Sequence, residues 1–315
     1  MITADLKELS TRTRFMREAG IALLLGSGVL VLFLLVPLDQ KGQANGPVTV
    51  SPSQKDGAYD QIALTAQAAI VYDLVTNEEL YAKNANVQLP LASLTKLLTI
   101  EAAVRILSRD MPITISIKDA SVESPRRFAV GDTLAFNDLA RLTLTASLND
   151  GAVAIVEALA LRENTSTPAA LGSAAAALDL SSTYAVNGNG LDLSTMISGG
   201  YGSARDMALL AGALVHDAPD IALSTTLPSA SATTAAGKHY EILNTNPTVT
   251  NAPRLLLSKT GYTDLAGGNL AIVFDAGINH PIAVVVLGST EEARFTDAAV
   301  LTAATLAHFA GIDSL

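Results

Sequence analysis

The pattern of apolar and polar positions divides the chain into three regions. Residues 19–38, AGIALLLGSGVLVLFLLVPL, form one uncharged run of twenty. A helix crossing a hydrocarbon core of roughly 30 Å needs about this length. Residues 39–60 lose the pattern, and Gly, Pro, Ser, Gln and Asn dominate, as in a linker. From residue 61 onward apolar runs return, separated by turn residues.

In this last region Ala68–Asp73 (AAIVYD) and residues 79–82 flank Thr76-Asn77, a pattern that predicts a β-hairpin. Residues 91–107 predict a helix behind Pro90, with apolar residues on nearly every side, which suits a helix buried inside a domain. Residues 137–144 are helical in pattern, residues 147–150 (SLND) interrupt, and residues 151–161 resume as an apolar helix. An alanine-rich helix over 167–178 and another over 204–215, capped by Ser203, follow. Residues 254–262, 269–275 and 281–287 are β-rich and joined by glycine-bearing turns, and a last helix covers about 291–310. No repeat of 20–50 residues is present, which excludes a solenoid. Strands at both ends with helices between them predict an α+β fold. Its sheet is built from the two ends, and a helical subdomain is inserted between them.

Charge orients the apolar run. Lys7, Arg12, Arg14 and Arg17 precede it, and only Lys41 and Lys55 follow within the next twenty residues. The positive-inside rule then puts the N-terminus in the cytoplasm and the remainder outside. The expected organisation is a cytoplasmic tail (1–18), a transmembrane helix or signal anchor (19–38), a linker (39–60) and a catalytic domain (61–315). That makes a single-pass protein of the cell membrane with its catalytic domain extracytoplasmic. A cleaved signal peptide ending near Gly42-Gln43-Ala44 and a buried core helix are the competing readings.

Composition narrows the chemistry. With 49% hydrophobic and 16% charged residues the chain is not globally disordered. A net charge of −10 argues against nucleic acid as a partner. The absence of cysteine removes disulfides, zinc–thiolate sites and thiol nucleophiles. His216, His239, His280 and His308 have no metal-ligand spacing, so neither metal nor cofactor is expected.

Three short motifs remain. In LPLASLTKLLT (residues 89–99), Ser93 and Lys96 stand three apart, on one face of the predicted helix. Serine is a poor nucleophile without a base, and a lysine in an apolar setting can lose its proton and serve as one. The plain alternative is a solvated helix edge. Ser147-Leu148-Asn149 lies in the break between two helices, where a hydroxyl could relay a proton and an amide could hold a substrate amide. Helix capping explains it equally well. Ser258-Lys259-Thr260-Gly261-Tyr262-Thr263 falls at the end of a predicted strand, where cation, hydroxyls and backbone N–H groups suit an anionic ligand. Its bland reading is a strand-to-turn junction.

In the order S-x-x-K, S-x-N, K-T-G the set resembles the signature of penicillin-binding proteins and serine β-lactamases. The likeness is wider than the motifs. Residues 68–99, NGNGLD (187–192), YGSARDMALLAGAL (201–214) and SKTGYTDLAGGNL (258–270) resemble the D-alanyl-D-alanine carboxypeptidase family, the low-molecular-mass penicillin-binding proteins, over about residues 65–310. The resemblance implies a five-stranded antiparallel sheet flanked by helices. It also implies that Ser93 attacks the terminal D-Ala–D-Ala carbonyl of a peptidoglycan stem peptide and that Lys96 takes its proton. Ser147 would pass a proton to the leaving D-alanine, and Lys259 would keep the field positive. Asn149 would hold the substrate backbone, and Thr260 and Thr263 would bind its carboxylate around Gly261. Backbone N–H groups of Ser93 and Tyr262 would form the oxyanion hole, and β-lactams would act as covalent inhibitors.

Leu148 departs from the smaller or polar residue usual in the middle motif. The carboxylate-binding arginine of the family is not clearly placed; Arg294 is the nearest candidate, against a plain helix-surface charge. A β-lactamase is the rival enzyme, with Glu157 and Glu163 as candidates to activate water. A D,D-endopeptidase would use the same machinery, and a non-catalytic wall-binding protein on this fold is a further alternative.

Overall fold

The computed structural model describes residues 57–250 and 254–311. Strands β1 (Ala68–Asp73), β2 (Glu78–Lys83), β3 (Leu255–Thr263), β4 (Gly267–Asp275) and β5 (Pro281–Ser289) form one sheet in the order β3-β4-β5-β1-β2. Every neighbouring pair is antiparallel. β1 lies beside β5, Ala68 opposite Leu287, so the sheet joins segments from the two ends of the domain.

β1 is buried at every position, and its side chains alternate between two cores. Ala68, Ile70 and Tyr72 enter one, together with Ala271, Val273, Ala283 and Val285. Ala69 and Val71 enter the other with Ile272, Phe274, Ile282 and Val284. A strand covered on both faces reads as a continuous apolar run instead of an alternation. This explains why AAIVYD announces a strand without showing which face is inside.

Helices α1 (Thr95–Ile106), α2 (Phe136–Thr145), α3 (Asn149–Arg162), α4 (Thr167–Ala177) and α5 (Ala204–Asp217) fall between β2 and β3 in the chain. α5 packs on β1 and β5, α1 packs against α3, α4 and α5, and α6 (Ala293–Phe309) packs on β4 and β5. Ser203 caps α5 as expected, accepting from Asp206 N at 3.0 Å.

Two departures from the sequence reading lie next to the candidate site. The helix expected over 91–107 starts at Thr95, because Ala92 sits at φ +47°, and Ala92–Leu94 forms a separate 3₁₀ turn. A hairpin of Ser229–Thr233 and His239–Leu243 was not expected. Its buried positions include Ala230 and Ala232, and alanine gives too small an apolar signal to reveal period-two alternation.

The folded part begins before residue 61. Tyr59 is buried and donates its hydroxyl to Thr305 Oγ1 at 3.0 Å. The apolar run 19–38 lies outside the described residues. Among the described residues, no helix is long and apolar enough to cross a membrane. Among them too, no cluster of His, Asp and Glu is placed to hold a metal.

Candidate active site

Ser93 occupies the 3₁₀ turn, and Lys96 follows in the first turn of α1. Lys96 is fully buried, one of the largest side chains to be so. Its Nζ lies 2.8 Å from Ser93 Oγ, 2.7 Å from Asn149 Oδ1 and 2.7 Å from the Asn189 carbonyl. Asn149 Nδ2 donates to the Glu123 carbonyl at 3.0 Å, which turns Oδ1 toward the lysine.

This geometry has a direct chemical consequence. A neutral amine carries two N–H donors and one lone pair. The carbonyls of Asn149 and Asn189 can only accept, so they hold the two N–H groups. In the charged form the third N–H donates to Ser93 Oγ; in the neutral form a lone pair faces it instead, and the serine O–H can donate to that. Burial lowers the Lys96 pKa well below its ordinary value; the nearby Lys259 charge lowers it further, and Asp150 opposes both.

Lys259, on β3, is buried as well. Its Nζ donates to Ser147 Oγ at 2.8 Å and to the Thr260 carbonyl at 2.7 Å. Burial, with Arg294 nearby, pushes its pKa down to about 7. Ser147 stands between α2 and α3 at φ +57°, a left-handed conformation that costs a residue with a Cβ of order 1–2 kcal/mol. Ala92, one residue before Ser93, stores the same kind of strain. Both turns of the site are thus held away from relaxed backbone by their surroundings.

Glycine brings these pieces together. A Cβ on Gly261 would lie 3.0 Å from the Leu91 carbonyl and 3.2 Å from Ser93 N, so β3 lies directly against the Ser93 turn. On the other side Gly190, at φ +79°, packs so closely that its Cβ would meet the Ala92 carbonyl at 1.9 Å.

The remaining expected residues take distinct places. Thr260 is buried, with Oγ1 2.6 Å from Thr245 Oγ1. Thr263, at the end of β3, accepts from Ala266 N at 3.2 Å and so closes the β3–β4 turn. Tyr262 is 46% exposed. Asn149, expected to hold substrate, here positions Lys96. Arg294 is no surface charge: it is 7% exposed, and its Nη1 donates to the Gly261 carbonyl at 2.8 Å. Glu157, on the partly exposed side of α3, is engaged by Lys118. Sequence reasoning missed Asn189, which contributes a main-chain carbonyl and therefore has no side-chain signature. It also missed Thr245, whose only signal is a pair of flanking asparagines.

A five-stranded antiparallel sheet with a serine–lysine turn packed against its edge strand defines a class, the penicillin-binding-protein fold. Penicillin-binding protein D2 of Listeria monocytogenes, in its cefotaxime-bound form, superposes with a TM-score of 0.66 at 26% identity, covering 78% of this chain and 98% of that one. The profile of the S11 peptidases, D-alanyl-D-alanine carboxypeptidase, matches residues 53–291, and the chain belongs to this family. A D-alanyl-D-alanine endopeptidase of Pseudomonas aeruginosa is 29% identical over 252 residues, 76% of each chain. The D-alanyl-D-alanine carboxypeptidase DacC of Escherichia coli is 29% identical over 256 residues. That match covers 75% of this chain but 60% of DacC, so the chain spans about three fifths of that relative.

Proposed function

We propose that the chain is a serine-type D-alanyl-D-alanine carboxypeptidase that removes the terminal D-alanine of peptidoglycan stem peptides. The observation that carries this reading is the buried Lys96, with two carbonyls on its N–H groups and Ser93 at 2.8 Å on its third side. Ser93 Oγ attacks the carbonyl of the D-Ala–D-Ala bond as its proton passes to Lys96. The oxyanion forms beside the N–H groups of Ser93 and Tyr262. Ser147, held by Lys259, hands a proton to the departing amine, and the C–N bond breaks. Water then attacks the acyl-serine ester and releases the shortened peptide. Thr260 and its neighbours on β3 receive the substrate carboxylate, in a field made positive by Lys259 and Arg294.

A β-lactam mimics the scissile amide and should acylate the same serine. Incubation with benzylpenicillin followed by intact-mass measurement should give one adduct on the wild type and none on Ser93→Ala. An adduct that persists in Ser93→Ala removes Ser93 as nucleophile. Rapid nitrocefin turnover in place of a long-lived adduct would favour a β-lactamase.

Endopeptidase action is the second reading, favoured by two relatives that carry that name, at 29% and 24% identity. Cross-linked dimeric and monomeric muropeptides offered together would separate the two. We also propose that the run 19–38 anchors the protein in the cell membrane with the catalytic part outside, on the strength of its length and flanking charges. Protease added to intact spheroplasts should then digest the catalytic part, and full protection would reverse this orientation.

A further inference from the structure

Asn244-Thr245-Asn246 joins the hairpin strand His239–Leu243 to the segment leading into β3 and belongs to none of the three motifs. Asn244 Nδ2 donates to the carbonyls of Thr225 and Leu227 at 2.7 and 2.8 Å. Asn246 Nδ2 donates to Ser258 Oγ at 2.8 Å, next to Lys259. The two asparagines are also tied together, Asn246 N donating to Asn244 Oδ1 at 2.9 Å. Between them the Thr245 N–H donates to the Thr145 carbonyl at 3.1 Å, two residues before Ser147. The backbone at residue 245 is thus held by the helical part and by β3 at once. This scaffolding presents an exposed threonine whose hydroxyl lies 2.6 Å from that of the buried Thr260.

We infer that Thr245 is a positioning residue of the substrate-carboxylate site, and that its hydroxyl fixes the direction in which Thr260 donates. The inference rests on the function proposed above. A hydroxyl has one hydrogen to give and two lone pairs to accept with. With no anion present, either threonine can donate to the other. A carboxylate can only accept, so its arrival turns the Thr260 hydrogen toward it. Thr260 Oγ1 then accepts from Thr245, and the chain Thr245→Thr260→carboxylate polarises each bond in turn. A neutral carboxamide or ester in the same place gains less from this chain. Thr245 therefore acts on the selection of acid-ended ligands and leaves the bond-breaking steps alone.

The test compares wild type, Thr245→Val, Thr245→Ala and Thr245→Ser. Each is assayed with a tripeptide ending in D-Ala-D-Ala, with its C-terminal amide, with benzylpenicillin and with benzylpenicillin methyl ester. Loss of the hydroxyl in Thr245→Val or Thr245→Ala should raise KM for the acid peptide about tenfold with kcat within about twofold. Acylation by benzylpenicillin should fall about tenfold, the capped ligands should change by less than about twofold, and Thr245→Ser should match wild type. Equal losses on acid and capped ligands, no loss at all, or a Thr245→Ser that fails like Thr245→Val would each overturn the inference. A wild type that is neither acylated nor cleaves the peptide removes the proposed function, and this inference with it. An active wild type with an indifferent Thr245→Val removes this inference alone.

Discussion

The site is built around two buried lysines that differ in what surrounds them. Lys96 faces two carbonyls that can only accept, and one serine. Lys259 faces one carbonyl and one serine. Burial is the first influence lowering the pKa of each, but the second differs: for Lys96 it is the Lys259 charge, and for Lys259 it is the Arg294 charge. Along the series Arg294, Lys259, Lys96, each positive charge lowers the pKa of the next. A lone buried lysine would pay the same desolvation cost without a neighbour to bias it, so the arrangement serves chemistry over stability.

The sharpest way to break the comparison is to delete each lysine amine in turn. Lys96→Met should lower the rate of benzylpenicillin acylation by about 10³-fold, the effect of losing a general base. Lys259→Met should lower it by about 10²-fold, because Ser147 keeps its hydroxyl but loses its donor. Stopped-flow acylation rates would decide, and equal losses would erase the distinction between the two lysines.

The pH profile offers a finer cut. The Lys259 charge depresses Lys96, so its removal lets the Lys96 pKa rise. The acid limb of acylation should then move to higher pH in Lys259→Met. Asp150 acts in the opposite sense and is the weakest of the influences on Lys96. In Asp150→Asn the acid limb should move slightly to lower pH. Shifts of the same sign in both variants would refute this account of the cations.

The smallest expected effect falls outside the site. Glu101, also on α1, is fully buried, with Oε1 on Arg105 at 2.7 Å and the Asp217 carboxylate nearby. Burial pushes its pKa up to about 7. The folded state therefore holds a proton that the unfolded chain releases above about pH 4.5. Stability from this group is full below that pH and is lost as pH rises through about 7. Melting temperatures of wild type should fall by about 2–4 °C relative to Glu101→Gln between pH 5 and pH 8, while the acid limb of acylation stays in place. A moved acid limb would mean that Glu101 belongs with the lysines.

Much of the fold was legible because apolar periodicity is a local property. β1 was read to the residue, and α2 and α5 within about two residues, a usual error at helix ends. The Ser229–Thr233 hairpin escaped because serine, alanine and threonine carry little contrast between buried and exposed positions. The 3₁₀ turn at Ser93 escaped because a positive φ at Ala92 is imposed from outside, where the Gly190 backbone and β3 close on that turn.

The site divides along the same line. Residue type and spacing picked out the three short motifs, and it was their order and the family resemblance that nominated Ser93, Lys96, Ser147, Asn149 and Lys259. No spacing along the chain could bring the Asn189 carbonyl to Lys96, bury Arg294 against Gly261 or set Thr245 beside Thr260. Those contacts join residues separated by 93, 33 and 15 positions, and they exist only where β3, the Ser93 turn, α6 and the segments between β2 and β3 meet. The sequence by itself determined which groups are available and in what order. Tertiary packing decided which of them lose water and lie beside one another, and desolvation together with proximity lowers the pKa of Lys96 in the way the proposed function requires.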